Sequence, residues 1–276
     1  MTQMIFQNER GKLCFSGGGK ELLCITEISG LAMPPKSFET AVYVETPGQK
    51  TLSETREARV ITVAGDICGK GMLAKTIRIL DAPGWLMIYG DGKTRKVYAR
   101  CISFEQGKRY GQYYRFALQF SCDSPYFEEK DESKVALFLR TNELKTPFVL
   151  PCRFSSRTSS ATVINRGDVE AEPVFEIYFM GDEEELWEVT IQNEQTGEKL
   201  ALSIPADAGD CVTIDVAKRK IYNQKGENLL SVLSPDSFLS RFHLQRGANF
   251  ISVTSQKADG INVLCRFVNR YLEAVC

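Results

Sequence analysis

Apolar residues in the first half of the chain come in short bursts, Met4 to Phe6, Leu13 to Phe15 and Leu22 to Ile28, with Gly17-Gly18-Gly19 marking a turn. Residues 58–67, ARVITVAGDI, alternate between apolar and small or polar side chains, the period of a half-buried strand. The pattern then changes. In 70–80, KGMLAKTIRIL, Met72, Leu73, Ile77 and Leu80 fall on one face of a helix, and Asp81-Ala82-Pro83-Gly84 ends it because proline restricts the residue before it and glycine permits the exit. Strands follow at 85–89, 95–104 and 113–122, separated by turns at Gly90-Asp91-Gly92 and Gly107 to Gly111. These elements predict an antiparallel sheet carrying a single helix. Segment 30–56 does not fit that sheet. It is long and weakly apolar, with proline-containing turns around an alternating strand at 40–44, and reads as a protruding arm that packs on another subunit.

The second half predicts strands only, at 147–154, 160–164, 173–180, 186–193, 199–204, 211–216, 219–222, 228–232, 241–244, 249–254 and 261–268. Short strands broken by turns every 8–12 residues or so indicate a β-sandwich. The whole chain is therefore mainly β. Charge supports a division: residues 1–130 carry 18 basic and 14 acidic side chains, whereas 131–276 carry 16 and 21. The reversal coincides with the polar stretch 128–134, EEKDESK, so the expected domains are 1–130 and 131–276, with 128–140 as the linker a protease should cut first.

Composition narrows the function. A net charge of -1 removes the whole-chain basic signal of a protein that wraps nucleic acid. No run approaches the roughly 18 apolar residues of a membrane-spanning helix, and MTQMIFQNERGK lacks the layout of a secretory leader. Nine cysteines, at 14, 24, 68, 101, 122, 152, 211, 265 and 276, include no CxxC pair and mostly sit inside apolar runs. They read as small buried hydrophobes of a protein made in a reducing compartment.

Candidate chemistry is sparse. His243, the lone histidine, falls in a predicted strand between Phe242 and Leu244, where strand periodicity turns it away from them. Gly65 to Gly71, GDICGKG, looks like a shortened phosphate loop but has glycine where a magnesium-binding hydroxyl is required, so it reads as a strand-to-helix turn. Asp182-Glu183-Glu184-Glu185 reads as a charged hairpin tip, and Asp207, Asp210 and Asp215 as turn residues. Tyr110, Tyr113, Tyr114 and Phe116 lie among Lys108, Arg109 and Arg115, a pattern that suits strand or oligomer packing and, second, base or sugar stacking. No catalytic, cofactor-binding or metal-binding residue is assigned. An alternative function, a carbohydrate-binding module for a cell-surface glycan, would use Trp187 or Tyr178 as its aromatic platform.

The ordered elements resemble a known family. Arg59-Val60-Ile61-Thr62-Val63, Gly65-Asp66-Ile67, the helix, Trp85-Leu86-Met87-Ile88-Tyr89 and the closing Asp123-Ser124-Pro125-Tyr126-Phe127 resemble the N-terminal half of the distal tail proteins of long-tailed bacteriophages. Gly167 to Pro173, Asn193 with Thr196-Gly197, Gly209-Asp210 leading to Asp215, Arg219 to Tyr222, Ser237 to Leu239 and Arg246-Gly247-Ala248-Asn249 continue the resemblance through residue 268. Arg246 departs from the proline the family often places before that glycine. The resemblance implies a galectin-like second domain and a non-enzymatic structural protein of a phage tail or phage-derived bacteriocin particle. It implies a homo-hexameric ring joining the tube to the baseplate hub, with the tail tube protein, the hub or tail-associated protein and receptor-binding proteins as partners. DNA would only pass through the channel; because a basic lining would hold it, the Lys and Arg of the net-positive first domain are expected mainly at subunit contacts and on the outer rim. The protein would be made in the bacterial cytoplasm, reside at the virion tail tip and enter no membrane. The first domain, without 141–276, would suffice to close rings.

Overall fold

A computed structural model describes residues 3–16, 22–44, 47–142, 155–180, 185–256 and 260–274. The chain forms two compact units, 1–130 together with 270–276, and 131–269. This corrects the expected second domain of 131–276, because its last seven residues belong to the first unit.

In the first unit, strands β1 (Gln3–Asn8), β2 (Gly11–Phe15), β3 (Leu23–Ser29), β4 (Lys36–Ala41), β5 (Lys50–Arg56) and β6 (Arg59–Cys68) precede helix α1 (Lys70–Leu80), followed by β7 (Gly84–Gly90), β8 (Lys93–Tyr110), β9 (Tyr113–Cys122) and β10 (Phe127–Glu129). The main sheet runs β2-β1-β7-β8-β9-β6-β3 with its neighbours antiparallel, and β10 pairs with β8. Alternation decides which face is buried: Ile61, Val63 and Ile67 of β6 and Phe116, Leu118 and Phe120 of β9 enter one core with Phe6, Phe15 and Leu86. The helix packs on that core, but not as its pattern predicts. Thr76, Ile79 and Leu80 are buried while Ile77 is 48% exposed. At about 100° per residue Met72, Thr76, Ile79 and Leu80 centre one stripe and Ile77 lies at its edge. The Asn8 side-chain amide donates to the carbonyls of Ile79 (2.7 Å) in the last turn and Ala82 (2.8 Å) just beyond it, tying the helix end to the end of β1.

The second unit begins with β11 (Ser133–Asn142), β12 (Ser155–Thr158), β13 (Ser160–Asn165), β14 (Val174–Phe179), β15 (Glu185–Asn193) and β16 (Lys199–Ala206). It continues with β17 (Cys211–Asp215), β18 (Lys220–Asn223), β19 (Gly247–Ser255) and β20 (Ile261–Phe267). Sheets β12-β11-β20-β14-β17-β18 and β13-β19-β15-β16 face each other across a core that includes Phe175, Ile177, Val189, Ile191, Ile214, Val253 and Val263. This is the expected β-sandwich. Three differences from the sequence reading stand out. The polar stretch 128–134 is mostly strand, ending β10 and beginning β11. Residues 228–232 and 241–244 are not strands; the short 3-10 turns Leu230–Val232 and Leu239–Arg241 lie there instead. The predicted strand at 147–154 lies outside the described residues. Finally, β21 (Arg270–Tyr271) leaves the sandwich and pairs with β10 of the first unit, Phe127 opposite Tyr271 and Glu128 opposite Arg270.

Buried asparagines hold the sandwich's turns. Asn249 donates to the carbonyls of Gln245 (2.8 Å) and Gly247 (3.1 Å) and accepts from Gln245 N–H (2.8 Å). Asn193 donates to the His243 carbonyl (3.2 Å) and to the Asn249 side-chain oxygen (3.3 Å). Asn165 donates to the Val169 and Leu244 carbonyls and accepts from Gly167 N–H. These side chains are at most 1% exposed, so losing one strands several buried polar groups. Asn249→Ala is expected to destabilise the sandwich by about 2–4 kcal/mol. His243→Ala, by contrast, should cost within about 0.5 kcal/mol, because the partly exposed imidazole hydrogen-bonds the Arg241 carbonyl of its own turn, 2.9 Å away, and the residue's bond to Asn193 is made by the main chain. Denaturant midpoints of the two variants measure the contrast.

Candidate functional site

The first unit carries a hairpin outside its main sheet. Strands β4 and β5 pair only with each other, Lys36 opposite Arg56 through Ala41 opposite Lys50, with a bulge between Glu39 and Thr40. The predicted strand 40–44 is displaced to Lys36–Ala41, and 42–44 lie beyond it. Without a core face, alternation has nothing to lock onto. The hairpin is solvent-facing along both strands, yet Phe38, Val42, Tyr43, Val44 and Leu52 are all more than half exposed, with Val44 at 92%. Polar groups fix its shape: Lys36 pairs with Glu54 at 2.5 Å, and Ser53 donates to Glu39 at 3.1 Å. The Lys36 ammonium holds the exposed Glu54 carboxyl below the usual carboxylate range.

What roots the hairpin is Arg59. It stands on the inward register of β6 with Ile61 and Val63 and is 1% exposed. Its Nε and one terminal nitrogen both donate to the Pro125 carbonyl, at 3.1 and 2.9 Å. Its other donors reach the carbonyls of Gly30 (2.6 Å), Ala32 and Leu272 (2.5 Å). All five guanidinium N–H groups are thus used, each on a main-chain carbonyl. Phe127 lies under the cation, 4.3 Å from its ring centre. Burial lowers the Arg59 pKa to about 10, which leaves it charged at neutral pH.

The chain segments gathered by Arg59 are those that enter and leave the hairpin. Gly30 has φ +85°, and a Cβ there would lie 2.1 Å from the Val60 carbonyl oxygen, so the approach to the root admits only glycine. Glu57 N–H donates to the Pro35 carbonyl at 3.0 Å and closes the base. Arg56 donates to the Tyr126 hydroxyl at 3.0 Å and lies over the same ring. The stretch Asp123 to Phe127 therefore clamps the root through Pro125, Tyr126 and Phe127. Residues 270–274 close the other side. Ala274 N–H donates to the Leu31 carbonyl at 2.8 Å, and Arg95 reaches the Glu273 carbonyl while covering the Tyr271 ring at 3.7 Å.

The other candidates fall elsewhere. Gly65 to Cys68 finish β6 and Gly69 precedes the helix, so this segment is a strand-to-helix turn. Asp215, 4% exposed, accepts from Lys218 N–H and pairs with its ammonium, both at 2.9 Å, and Asp210 accepts from Asp207 N–H at 3.0 Å; both organise turns. Asp182, Glu183 and Glu184 lie outside the described residues, as do Gly17-Gly18-Gly19, Cys152 and Cys276. Among the described residues no three His, Cys, Asp or Glu side chains converge as a metal site would. No disulfide joins the described cysteines, of which Cys122 and Cys265 are fully buried and the rest half-buried, a more exposed set than their apolar settings suggest. Burial pushes the Cys122 thiol up to about 12.

Tyr110 and Tyr113 pair across the end of the β8–β9 hairpin and are 60% and 50% exposed, while Tyr114 is buried beneath Arg109. Trp187 is not a sugar platform: it is 3% exposed, its indole N–H donates to the Ala206 carbonyl, and Gly260 packs so closely that a Cβ there would lie 2.3 Å from the ring. Tyr178 is exposed, and its hydroxyl donates to Glu176 at 2.8 Å. The sequence reading missed Arg59 and Arg95. Arg59 carried a usable signal: an arginine in phase with Ile61, Val63 and Ile67 faces the core.

Residues 166–271 match the family model of the siphovirus-type tail component, C-terminal domain. No curated protein matches the chain. In fold, the chain is similar to SPP1 Dit (gp 19.1), described as a paradigm of the hub adsorption apparatus in phages infecting Gram-positive bacteria, with a TM-score of 0.69, 15% identity and coverage of 98% of this chain and 99% of that one. It is also similar to a chain of the phage P2 baseplate in its activated conformation with calcium, at TM-score 0.55, 8% identity and 98% coverage of both chains. The strontium form of that baseplate gives 0.54, 9% and the same coverage.

Proposed function

We propose that this protein is a structural component of a phage or phage-like tail, a ring subunit that joins the distal end of the tube to the baseplate hub and docks adhesion components. The tail-component match over residues 166–271 carries the reading, and the full-length likeness of fold to a hub protein and a baseplate chain supports it. The first unit supplies a reason for oligomerisation. Its hairpin exposes Phe38, Val42, Tyr43, Val44 and Leu52 on a firmly rooted base, an arrangement that gains stability when a second copy covers those side chains.

In this reading six copies close the ring by heterologous contacts, the tube protein and the hub or tail-associated protein bind its two ends, and receptor-binding proteins dock on the outward second unit. DNA passes through the channel without being gripped, no membrane is entered, and no reaction is catalysed. Synthesis is in the bacterial cytoplasm and residence is at the tail tip. Electron microscopy of particles carrying a gold-labelled tag on this chain tests the placement. The expected label is a single cluster at the junction of tube and baseplate; label on the head, along the tube or on no particle contradicts it.

A further inference from the structure

We infer that residues 270–274 act as a strap that locks the assembly hairpin at its root, with Arg59 as the positioning residue that couples the two. The function of the hairpin rests on the reading above; the coupling rests on geometry alone. The strap arrives after the chain has run through the whole second unit, and it is attached to the rest of the first at several points. Strand β21 pairs with β10, Arg95 covers Tyr271 and reaches the Glu273 carbonyl, and Ala274, itself fully buried, is bonded to Leu31.

Arg59 links the strap, the clamp and the hairpin entry in one step, because a single guanidinium bonds Leu272, Pro125, Gly30 and Ala32. Its acceptors are main-chain oxygens, so their positions are set by backbone path and not by rotamers. Pulling residues 270–274 out of place therefore removes one acceptor, the Leu272 carbonyl, from the same cation that fixes residues 30–32. A lysine could not replace it, since an ammonium has three donors and no planar fork. The consequence is directional. The hairpin is held for a neighbouring copy only while the strap is seated, so a chain whose second unit has not yet delivered residues 270–274 presents a loose hairpin. Complete folding would then precede ring closure.

Amide hydrogen exchange on the full-length chain tests this, using Arg59→Lys, a variant ending at Asn269, and the two combined. In each single variant, exchange over residues 30–35 and 56–58 is expected to rise by at least about tenfold, while protection in β8 and β9 is retained. The combined variant should exchange there no faster than the shorter chain alone, because both changes break one linkage. Equal protection of residues 30–35 in all four proteins overturns the proposal, as does a simple product of the two single effects. If the shorter chain loses β8–β9 protection as well, a Tyr271→Ala chain of full length takes its place with the same expected pattern. None of these readouts requires a tail, so their failure leaves the tail assignment standing, and failure of the gold-label experiment leaves the strap standing.

Discussion

Replacing residues 37–55 with a tight turn, which keeps Lys36 and Arg56 at the root, is expected to yield a folded protein that no longer assembles. Both strands of the hairpin are solvent-facing and pair only with each other, so their removal takes no side chain from the core of the first unit. What it does remove is the exposed apolar set Phe38, Val42, Tyr43, Val44 and Leu52. Covering what these five side chains still expose is worth on the order of 5–10 kcal/mol before the cost of ordering and association is subtracted. Even half of that corresponds to a loss of two or more orders of magnitude in each subunit contact, roughly, and a ring multiplies the deficit around its circumference. Circular dichroism and thermal melting should be near those of the unaltered chain, while incorporation into particles falls below detection. Normal incorporation of the hairpin-less chain would show that the contacts lie elsewhere.

Arg59→Ala should be among the most destabilising single substitutions in the first unit. It deletes five hydrogen bonds and leaves the carbonyls of Gly30, Ala32, Pro125 and Leu272 facing a buried void beside Phe127. Stranded buried acceptors and a cavity together place the cost at about 3–5 kcal/mol. For a domain of this size that lowers the melting temperature by roughly 10 °C. Calorimetry gives the value directly. A shift under about 1 kcal/mol would mean that water replaces the guanidinium without loss, and that Arg59 is not the structural centre of the root.

The strap also changes how the first unit must be isolated. A fragment made by deleting everything after residue 140 was the natural choice from the charge pattern, but it lacks residues 270–276. A fragment that keeps them, joined to residue 130 by a short linker, preserves β21 on β10 and is the one whose ring formation is informative.

Sequence pattern located most of the elements that pack against a core. Residues 59–68, 113–122 and 261–267 alternate because one face is buried, and the helix ends where Asp81, Pro83 and Gly84 require. The pattern failed where that constraint is missing or nonlocal. The hairpin strand was displaced because neither of its faces is buried. Phe242 and Leu244 alternate with His243 as in a strand, and both are buried, but the backbone there makes only an isolated bridge between Leu244 and Ala171. Ser133–Asn142 was overlooked because its polar start looks like the linker that precedes it. The return of residues 270–274 had no local signature at all, since its partners are Arg59, Arg95 and Leu31, far away in sequence. Of the candidate site, the arm itself was legible from its weak apolar content and prolines, and its buried anchor was not.

Each copy is expected to hold its hairpin out to the next around a ring at the tail tip. Cryo-electron microscopy of the intact tail tip, at a resolution that traces β4 and β5, tests it most directly. The expected result is a closed ring of this chain between tube and hub, with Phe38, Val42, Tyr43, Val44 and Leu52 of each copy buried against its neighbour and Arg59 bonded to Leu272 within its own copy. A hairpin folded back on its own subunit, or left in solvent with the ring closed by other surfaces, would contradict it.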